Sequence, residues 1–243
     1  MSGSHPITLV LATRNLHKVT EIRGLLSERF QYRTLGDLPG APAVVEDAAT
    51  FAGNAAKKAE QLAEWILANT ANSEFRLSNC ETLVLADDSG LEVDALGGAP
   101  GVHSARFAAL DEQGLTARGN SPDAANNTKL LRLLQDVPME RRTARFRCVL
   151  ALAEVCPLLG DDKGIDKGFD EGRALKISQL FTGVCEGRIS FTPGGLGGFG
   201  YDPLFVPIGY EQSFAELGET VKNSISHRAK ALEKLGDWLE KRR

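Results

Sequence analysis

The sequence predicts an α/β fold built on a mixed sheet with flanking helices. Apolar runs of strand length are interspersed with segments whose apolar residues recur at helical spacing, but the alternation is not strict. The chain of 243 residues is 42% hydrophobic. Its core can therefore stabilise one large domain or two closely joined lobes without disulfide bonds or structural metal sites. We therefore expect a single domain over residues 1–243, with no internal repeat and no clear linker.

The first half of the chain predicts two strands and two helices. Residues 7–12 form an apolar run that leads into a polar loop, and the following residues carry apolar side chains on one helical face. A second helix is expected to begin near Thr50, whose hydroxyl can cap it. Residues 82–86 have the composition of a buried strand, which is expected to end where Asp-Asp-Ser-Gly follows at residues 87–90.

The second half predicts longer strands and a terminal helix. The expected elements are a helix over residues 123–134, a strand over 143–155, strands near 176–184 and 188–191, and a helix from about Ser224 to the end. Residues 160–172 are rich in Asp and Gly with little to bury, so we expect an exposed loop there.

Charge and hydropathy exclude several classes of protein. The formal net charge of -4 supplies no strong positive field, so the sequence disfavours a nucleic-acid-binding protein but allows a small phosphorylated ligand. No apolar stretch approaches the ~20 residues that a membrane helix needs. Residues 7–12 lack a preceding Lys or Arg, which favours a strand over a signal peptide. We expect a cytoplasmic protein with no membrane partner.

The four cysteines predict reduced thiols. Cys80, Cys148, Cys156 and Cys185 form no C-x-x-C pair, and Cys148 and Cys156 lie in apolar runs. Buried thiols are therefore expected in preference to a disulfide framework or a zinc site.

The segment between the first strand and the first helix is a candidate anion site. It consists of Thr13, Arg14, Asn15, Leu16, His17 and Lys18. Backbone N–H groups and the positive end of a helix dipole favour an anion there, and the Lys18 ammonium adds a donor. The glycines of a Walker A loop are absent. A plain turn with Asn15 as the helix cap is an equally good interpretation of this segment alone.

Two adjacent carboxylates follow the strand over residues 82–86. Asp87 and Asp88 repel each other unless a cation lies near them, and Mg²⁺ prefers such hard oxygen ligands. Glu46 and Asp47 could supply a further ligand from a separate loop. Asp-Asp-Ser-Gly is also a good turn sequence, and that alternative stays open for this segment by itself.

Two C-terminal segments carry further candidate binding residues. Residues 194–203 combine glycines, which permit close approach to a ligand, with the rings of Phe199 and Tyr201 and the carboxylate of Asp202. A glycine-rich hairpin or loop is the alternative. His227 and Arg228 lie near the start of the last helix, where cations oppose the helix dipole, which indicates either use on a ligand or a surface salt bridge.

The order and spacing of these segments resemble the Ham1, or inosine triphosphatase, family over nearly the whole chain. The matching patterns are T-x-N-x-x-K at 13–18, F-x-x-N-A-x-x-K-A at 51–59, D-D-S-G-L at 87–91, L-x-G-x-P-G-x-x-S-A-R at 96–106, F-G-Y-D-P at 199–203 and S-H-R-A at 226–229. The chain departs from the family at Arg14, where glycine is frequent, at Val221, where an acidic residue is usual, and in longer segments near 68–81 and 154–177.

The resemblance implies a two-lobed fold around a central nucleotide cleft, a homodimer, and a Mg²⁺-dependent pyrophosphatase. Such an enzyme hydrolyses the non-canonical purine nucleotides ITP, dITP and XTP to the monophosphate and pyrophosphate, which prevents their incorporation into nucleic acids. The alternatives are a Maf-like pyrophosphatase for other modified nucleotides, against which the Ser-His-Arg element argues, and a nucleotide sensor without catalysis.

The resemblance also implies roles for individual residues. Glu46 and Asp88 would hold Mg²⁺, and Asp88 would act as the base for the attacking water. The triphosphate would be held by residues 13–18 and Lys58. The remaining substrate-binding candidates are Ser89, Phe199, Gly200, Tyr201, Asp202, Lys222, His227 and Arg228. Of these, His227 and Arg228 are the candidate readers of the purine 6-oxygen, with Phe199 stacked on the base.

Overall fold

The computed structural model describes residues 7–26, 30–69, 82–110, 119–155, 177–195 and 197–241. Six strands in this part of the chain form one sheet in the order β2-β1-β3-β4-β5-β6. The strands are β1 (Ile7–Leu11), β2 (Phe30–Thr34), β3 (Thr82–Val93), β4 (Thr143–Val155), β5 (Ile177–Ile189) and β6 (Phe205–Pro207). The helices are α1 (Leu16–Leu26), α2 (Phe51–Asn69), α3 (Asp123–Leu133), α4 (Phe214–Ile225) and α5 (His227–Lys241).

The sheet contains both parallel and antiparallel neighbours. β1 pairs in parallel with β2, where Ile7 lies opposite Phe30, and with β3, where Thr8 lies opposite Thr82. β5 and β6 pair antiparallel, with Gly187 opposite Pro207. The expected α/β fold with a mixed sheet is therefore confirmed.

The chain divides into two compact units. The first comprises Met1–Ala48, Ala52–Asp87 and Leu150–Leu180, and the second comprises Ala49–Phe51, Asp88–Val149 and Phe181–Arg243. β3, β4 and β5 each contribute residues to both units, so three of the boundaries fall within strands. The two lobes around a central cleft stay a prediction.

The core of unit 1 is aliphatic. Four residues of β1 are buried, as expected for a parallel strand between two others, because such strands are covered on both faces. Ile22 of α1 and Leu62 of α2 are each 1% exposed. These helices therefore present one apolar face to the core, as their sequence periodicity predicts.

The core of unit 2 contains packed aromatic rings. Phe146 of β4 lies 4.6 Å from Phe205 and 6.2 Å from Phe214, measured between ring centroids. Phe205 and Phe214 are 5.3 Å apart. Such contacts lie within the range in which aromatic pairs add about 0.5–1.5 kcal/mol beyond their burial.

Several expected elements are confirmed with small changes in their bounds. The structure contains the strand expected over 143–155, the helix expected over 123–134, and a helix that begins directly after Thr50. The last helix begins at His227, because Ser226 ends α4, a separate helix that the sequence patterns did not indicate. The short strands β2 and β6 were also missed. The loop expected over 160–172 lies outside the described residues.

Two expectations about strand ends are wrong. β3 does not stop at residue 86 but continues to Val93, so Asp-Asp-Ser-Gly lies inside a strand and not in a turn. Asp87 tolerates this buried position because the Lys18 ammonium contacts its carboxylate. The two strands expected near 176–184 and 188–191 are one strand, β5. Gly187 does not interrupt it but pairs with Pro207 of β6. A Cβ at this position would collide with the Val206 oxygen, so the glycine permits close packing of the two strands.

The expectations about membrane helices and about cysteines concern the described residues in part. None of the helices in these ranges is long and apolar enough to cross a membrane. Cys148 and Cys185 are buried, as expected, whereas Cys80 and Cys156 lie outside the described residues.

Candidate functional site

The segment between β1 and α1 is an ordered helix start. The Asn15 Oδ1 accepts hydrogen bonds from the backbone N–H groups of His17, at 3.0 Å, and Lys18, at 3.3 Å. The Thr13 hydroxyl oxygen accepts one from the Asn15 N–H at 3.1 Å. Asn15 is therefore the cap of α1, which gives the loop a fixed shape. Arg14, Leu16 and His17 are exposed along it.

Lys18 connects this loop to strand β3. Its ammonium forms a salt bridge with the Asp87 carboxylate and lies 3.4 Å from the Asp87 backbone oxygen. The Asp87 side chain is 1% exposed and that of Lys18 is 15% exposed. The pair is thus largely removed from water, where a charge without a partner would be costly.

A second lysine approaches the same peptide group. The Lys58 Nζ of α2 donates to the Asp87 backbone oxygen at 3.0 Å and lies 3.0 Å from the Glu46 Oε1. Asn54, one turn before Lys58, accepts a hydrogen bond from the Ala48 N–H at 2.9 Å. Asn54 is fully buried and so fixes the segment that carries Glu46 against α2.

Unit 1 therefore gathers four charged groups around one point of the chain. Lys18 and Lys58 both contact the Asp87 backbone oxygen, and each also pairs with a carboxylate, of Asp87 or Glu46. The two positive and two negative charges balance in the protein without a ligand.

In unit 2, Ser89 of β3 contacts the start of α5. The Arg228 Nη2 donates to the Ser89 hydroxyl oxygen at 2.9 Å, and Arg228 is only 3% exposed. Asp88, directly before Ser89, is 5% exposed. The structure thus brings two predicted substrate-binding residues, Ser89 and Arg228, into contact.

The Ser-His-Arg element forms the junction of α4 and α5. The Ser226 hydroxyl oxygen accepts from the Ala229 N–H at 3.1 Å and caps α5, while its own N–H bonds the Lys222 oxygen at 2.9 Å. His227 is 5% exposed and stacks on Phe146, with ring centroids 4.8 Å apart and an interplanar angle of 13°. The junction is therefore fixed by caps and by aromatic packing.

Asp202 joins the glycine-rich segment to α4. Its Oδ2 accepts from the Lys222 Nζ at 2.8 Å and from the Phe199 N–H at 2.8 Å. The side chains of Asp202 and Lys222 are 3% and 4% exposed. Phe199 itself is half-buried, so this ion pair fixes the backbone beside an aromatic ring that is partly exposed.

Tyr201 is anchored away from solvent. Its hydroxyl donates to the Ser104 backbone oxygen at 2.9 Å, and the residue is 3% exposed. Burial, with a smaller contribution from the negative charge of Asp123, raises the pKa of Tyr201 well above its usual range. The Ser104 hydroxyl oxygen in turn accepts from the Leu91 N–H at 2.9 Å. Ser104 therefore connects β3 to the F-G-Y-D-P segment.

The predicted site residues fall into one group in each unit. Unit 1 holds residues 13–18, Glu46 and Lys58, and unit 2 holds Asp88, Ser89, residues 199–202, Lys222 and residues 227–228. Glu46 and Asp88 belong to different units, so their joint binding of an ion stays a prediction. Asp47 pairs with Lys57 at 2.5 Å and not with the Lys18–Lys58 group.

Two positioning residues were missed in the sequence. Asn54 and Ser104 lie inside the quoted patterns F-x-x-N-A-x-x-K-A and L-x-G-x-P-G-x-x-S-A-R, but no role was assigned to either. Their positions within those two sequence patterns could have indicated that both residues have a role. A buried Asn or Ser in such a place indicates a hydrogen bond that the fold requires.

Comparison with known proteins identifies relatives of nearly full length. The chain is 46% identical over 234 residues to a dITP/XTP pyrophosphatase of Desulforamulus reducens, covering 96% of both chains. It is 41% identical over 232 residues to a dITP/XTP pyrophosphatase of Shouchella clausii, again covering 96% of each.

Solved structures show the same relationship. A HAM1 protein from Coxiella burnetii superposes with a TM-score of 0.70 at 32% identity, covering 97% of this chain and 99% of the other. The Staphylococcus aureus Ham1 protein gives a TM-score of 0.69 at 30% identity, covering 97% and 100%. The Ham1 family model matches residues 9–238. With the sequence patterns, the fold and these relatives in agreement, the chain belongs to the Ham1 family.

Proposed function

We propose that this protein is a nucleoside-triphosphate pyrophosphatase that acts on dITP, XTP and ITP and releases the monophosphate and pyrophosphate. The observation that carries the proposal is the convergence of Lys18 and Lys58 on the backbone oxygen of Asp87, one residue before Asp88. Two ammonium groups are thereby held beside a carboxylate-bearing strand. The family relatives named dITP/XTP pyrophosphatase support the same activity.

The phosphate chain is assigned to the lysines and to the start of α1. Lys18 lies in the first turn of α1, where the helix dipole also favours negative charge. Lys18 and Lys58 are each held by a carboxylate before the nucleotide binds, so they are already positioned. Preorganised donors of this kind lose little freedom when a phosphate replaces or shares the carboxylate.

Mg²⁺ is the proposed cofactor, with Glu46 and Asp88 as its protein ligands. Within the described residues, no three His, Cys, Asp or Glu side chains lie close enough together to hold a metal. The available donors are carboxylate oxygens, and Mg²⁺ commonly uses one or two of these with water and substrate phosphates. The donor set therefore fits Mg²⁺. When bound, the ion supplies charge stabilisation for the phosphate oxygens and the leaving pyrophosphate.

Asp88 is the proposed general base. Its carboxylate would accept the proton of the water that attacks the phosphorus, a role typically worth about 10²- to 10⁴-fold in rate. Its position inside β3 fixes the carboxylate more tightly than a loop would. Ser89, bonded to Arg228, extends the proposed binding surface.

Recognition of the base is assigned to unit 2. Phe199 is half-buried and can stack on a purine, and the buried His227 and Arg228 are the proposed donors for the 6-oxygen. A site built around such donors disfavours adenine, whose amino group leaves a donor unpaired; such mismatches can cost about 10⁴-fold. A homodimer in the cytoplasm completes the proposal, in keeping with the sequence expectation.

The decisive experiment measures pyrophosphate release from dITP, XTP, dATP and dGTP, with and without Mg²⁺. We expect release from dITP and XTP that requires Mg²⁺, with far less from dATP, whose 6-amino group leaves the proposed donors unpaired. Release of orthophosphate, or equal rates on all four nucleotides, contradicts the proposal.

Asp88→Asn tests the base directly. The variant should fold normally but lose turnover by at least about 10²-fold. Asp136→Asn, a change of an exposed carboxylate after α3, is the matched control and should retain full activity. Full activity in Asp88→Asn would reject the assigned base even if the wild-type protein hydrolyses dITP.

A further inference from the structure

We propose that Asp123 and Asn127 of α3 are positioning residues that hold Phe199 ready to receive the purine base. This inference rests on the proposed function. The two side chains form hydrogen bonds with the backbone N–H and the backbone oxygen of one residue, Gly200. The Asp123 Oδ2 accepts from the Gly200 N–H at 2.8 Å, and the Asn127 Nδ2 donates to the Gly200 oxygen at 3.0 Å. We call this pair the Gly200 clamp.

The helix supplies the spacing that the clamp requires. Residues i and i+4 lie on the same face of an α-helix, so Asp123 and Asn127 reach the same neighbouring segment. Asp123 supplies the acceptor for the Gly200 N–H, and Asn127 supplies the donor for the Gly200 C=O. Attachment at two points fixes the orientation of the peptide as well as its position. Gly200 has a φ of 64°, a left-handed conformation that favours glycine.

The helix α3, which carries the clamp residues, is itself held rigidly. Asn126, between the two clamp residues, is 2% exposed; it accepts from the Ala108 N–H at 2.8 Å and donates to the Ala105 oxygen at 3.4 Å. Leu130 on the same helix is completely buried. α3 is therefore fixed to the body of unit 2 independently of the clamp.

The clamp leaves one aromatic ring of the segment accessible. On one side of Gly200, Tyr201 is buried and its hydroxyl bonds the Ser104 oxygen. On the other side, the Phe199 N–H bonds Asp202, while its ring is only half-buried. Fixing Gly200 between these two contacts sets the direction of the Phe199 ring. The clamp thus acts on substrate through Phe199 and does not touch the base.

The clamp residues contribute little to the core. Asp123 is exposed and Asn127 is half-buried, so removing either side chain opens no apolar cavity. Surface changes of this kind usually alter stability only slightly. A loss of substrate affinity in these variants would therefore report on the segment they hold.

The test compares KM and kcat for dITP in Asp123→Ala and Asn127→Ala with wild type. Base stacking on an aromatic ring contributes enough binding that its loosening should raise KM about five- to tenfold. We expect kcat to stay within about twofold, because Asp88 and the phosphate-binding lysines are unchanged. Asp123→Asn keeps an acceptor for the Gly200 N–H and should restore a KM near the wild-type value.

Two further variants complete the design. Asn127→Asp has the shape of asparagine but opposes an oxygen to the Gly200 oxygen, so its KM should rise at least as much as in Asn127→Ala. Thr128→Ala is the matched control on the same helix, since that hydroxyl bonds only the Ala124 oxygen among the contacts resolved for it, and its KM should not change.

The outcomes separate the clamp from the proposed function. If wild type releases no pyrophosphate from dITP, the proposed function is wrong and the clamp inference fails with it. If wild type is active but the folded clamp variants keep a wild-type KM, only the clamp inference is overturned. A fall in kcat and melting temperature with KM unchanged, or no rescue by Asp123→Asn, overturns it as well.

Discussion

Replacing Asp202 with asparagine removes the carboxylate that Lys222 contacts at 2.8 Å, with both side chains at most 4% exposed. At that distance, with an effective dielectric constant of about 20, Coulomb's law gives an attraction of about 6 kcal/mol before the cost of desolvation. Breaking one side of a buried pair typically costs about 3–5 kcal/mol, because the remaining charge stays buried. We expect Asp202→Asn to lose stability in that range.

The assay is urea unfolding followed by circular dichroism, with thermal melting as a second measure. For a chain of this length, each kcal/mol shifts the melting temperature by about 2–4 °C, so the expected fall is about 10 °C. The double variant Asp202→Asn with Lys222→Met should recover part of the loss, because it also removes the buried ammonium that has lost its carboxylate partner.

Asp47→Asn is the matched control for this experiment. Asp47 also pairs with a lysine, Lys57, at 2.5 Å, but the side chains are 61% and 31% exposed. Exposed pairs contribute little to stability, because water and salt screen their charges. Equal destabilisation in Asp47→Asn and Asp202→Asn, or a double variant less stable than either single variant, would refute the reasoning from burial.

Three further predictions concern packing, capping and titration. Gly183→Ala should destabilise the protein strongly in urea unfolding, because its Cβ would lie 2.0 Å from the His227 oxygen, whereas Gly236→Ala, with no atom within 4 Å, should be neutral or slightly stabilising. Asn15→Ala removes the cap of α1 and should cost about 1 kcal/mol, measured in the same assay. Burial raises the pKa of Cys185 from 9.0 to about 11. The unfolded thiol therefore ionises first, so stability should fall as pH rises from about 9 to 11, and Cys185→Ala should weaken this fall; a slope unchanged in Cys185→Ala would contradict it.

The sequence predicted the elements whose apolar residues repeat over a long stretch. The strand over residues 143–155 and the helix that follows Thr50 are examples, because burial on a continuous face leaves a periodic pattern. β6 has three residues and β2 five, too few for a period to stand out. α4 was missed because Gly218, with a φ of 76°, interrupts its helical pattern.

The sequence indicated candidate site residues but not the contacts that those residues make. Order and spacing along the chain identified Lys18, Lys58 and Asp88, since those patterns are local. That Lys18 pairs with Asp87, 69 residues away, depends on tertiary packing. The contacts of Gly200 with α3 were equally invisible, because they join segments with no common sequence pattern.

Placing Asp87 and Asp88 within a strand has a consequence for insertions and deletions. Successive side chains of a strand project to opposite faces, so the side chains of these two neighbouring acids lie on opposite faces of the sheet. Loss of a single residue between positions 82 and 86 would invert which acid meets Lys18, whereas exchanging one aliphatic residue for another there would not. In this protein the length of that short stretch, more than its composition, is therefore the property that evolution or an engineer must leave untouched.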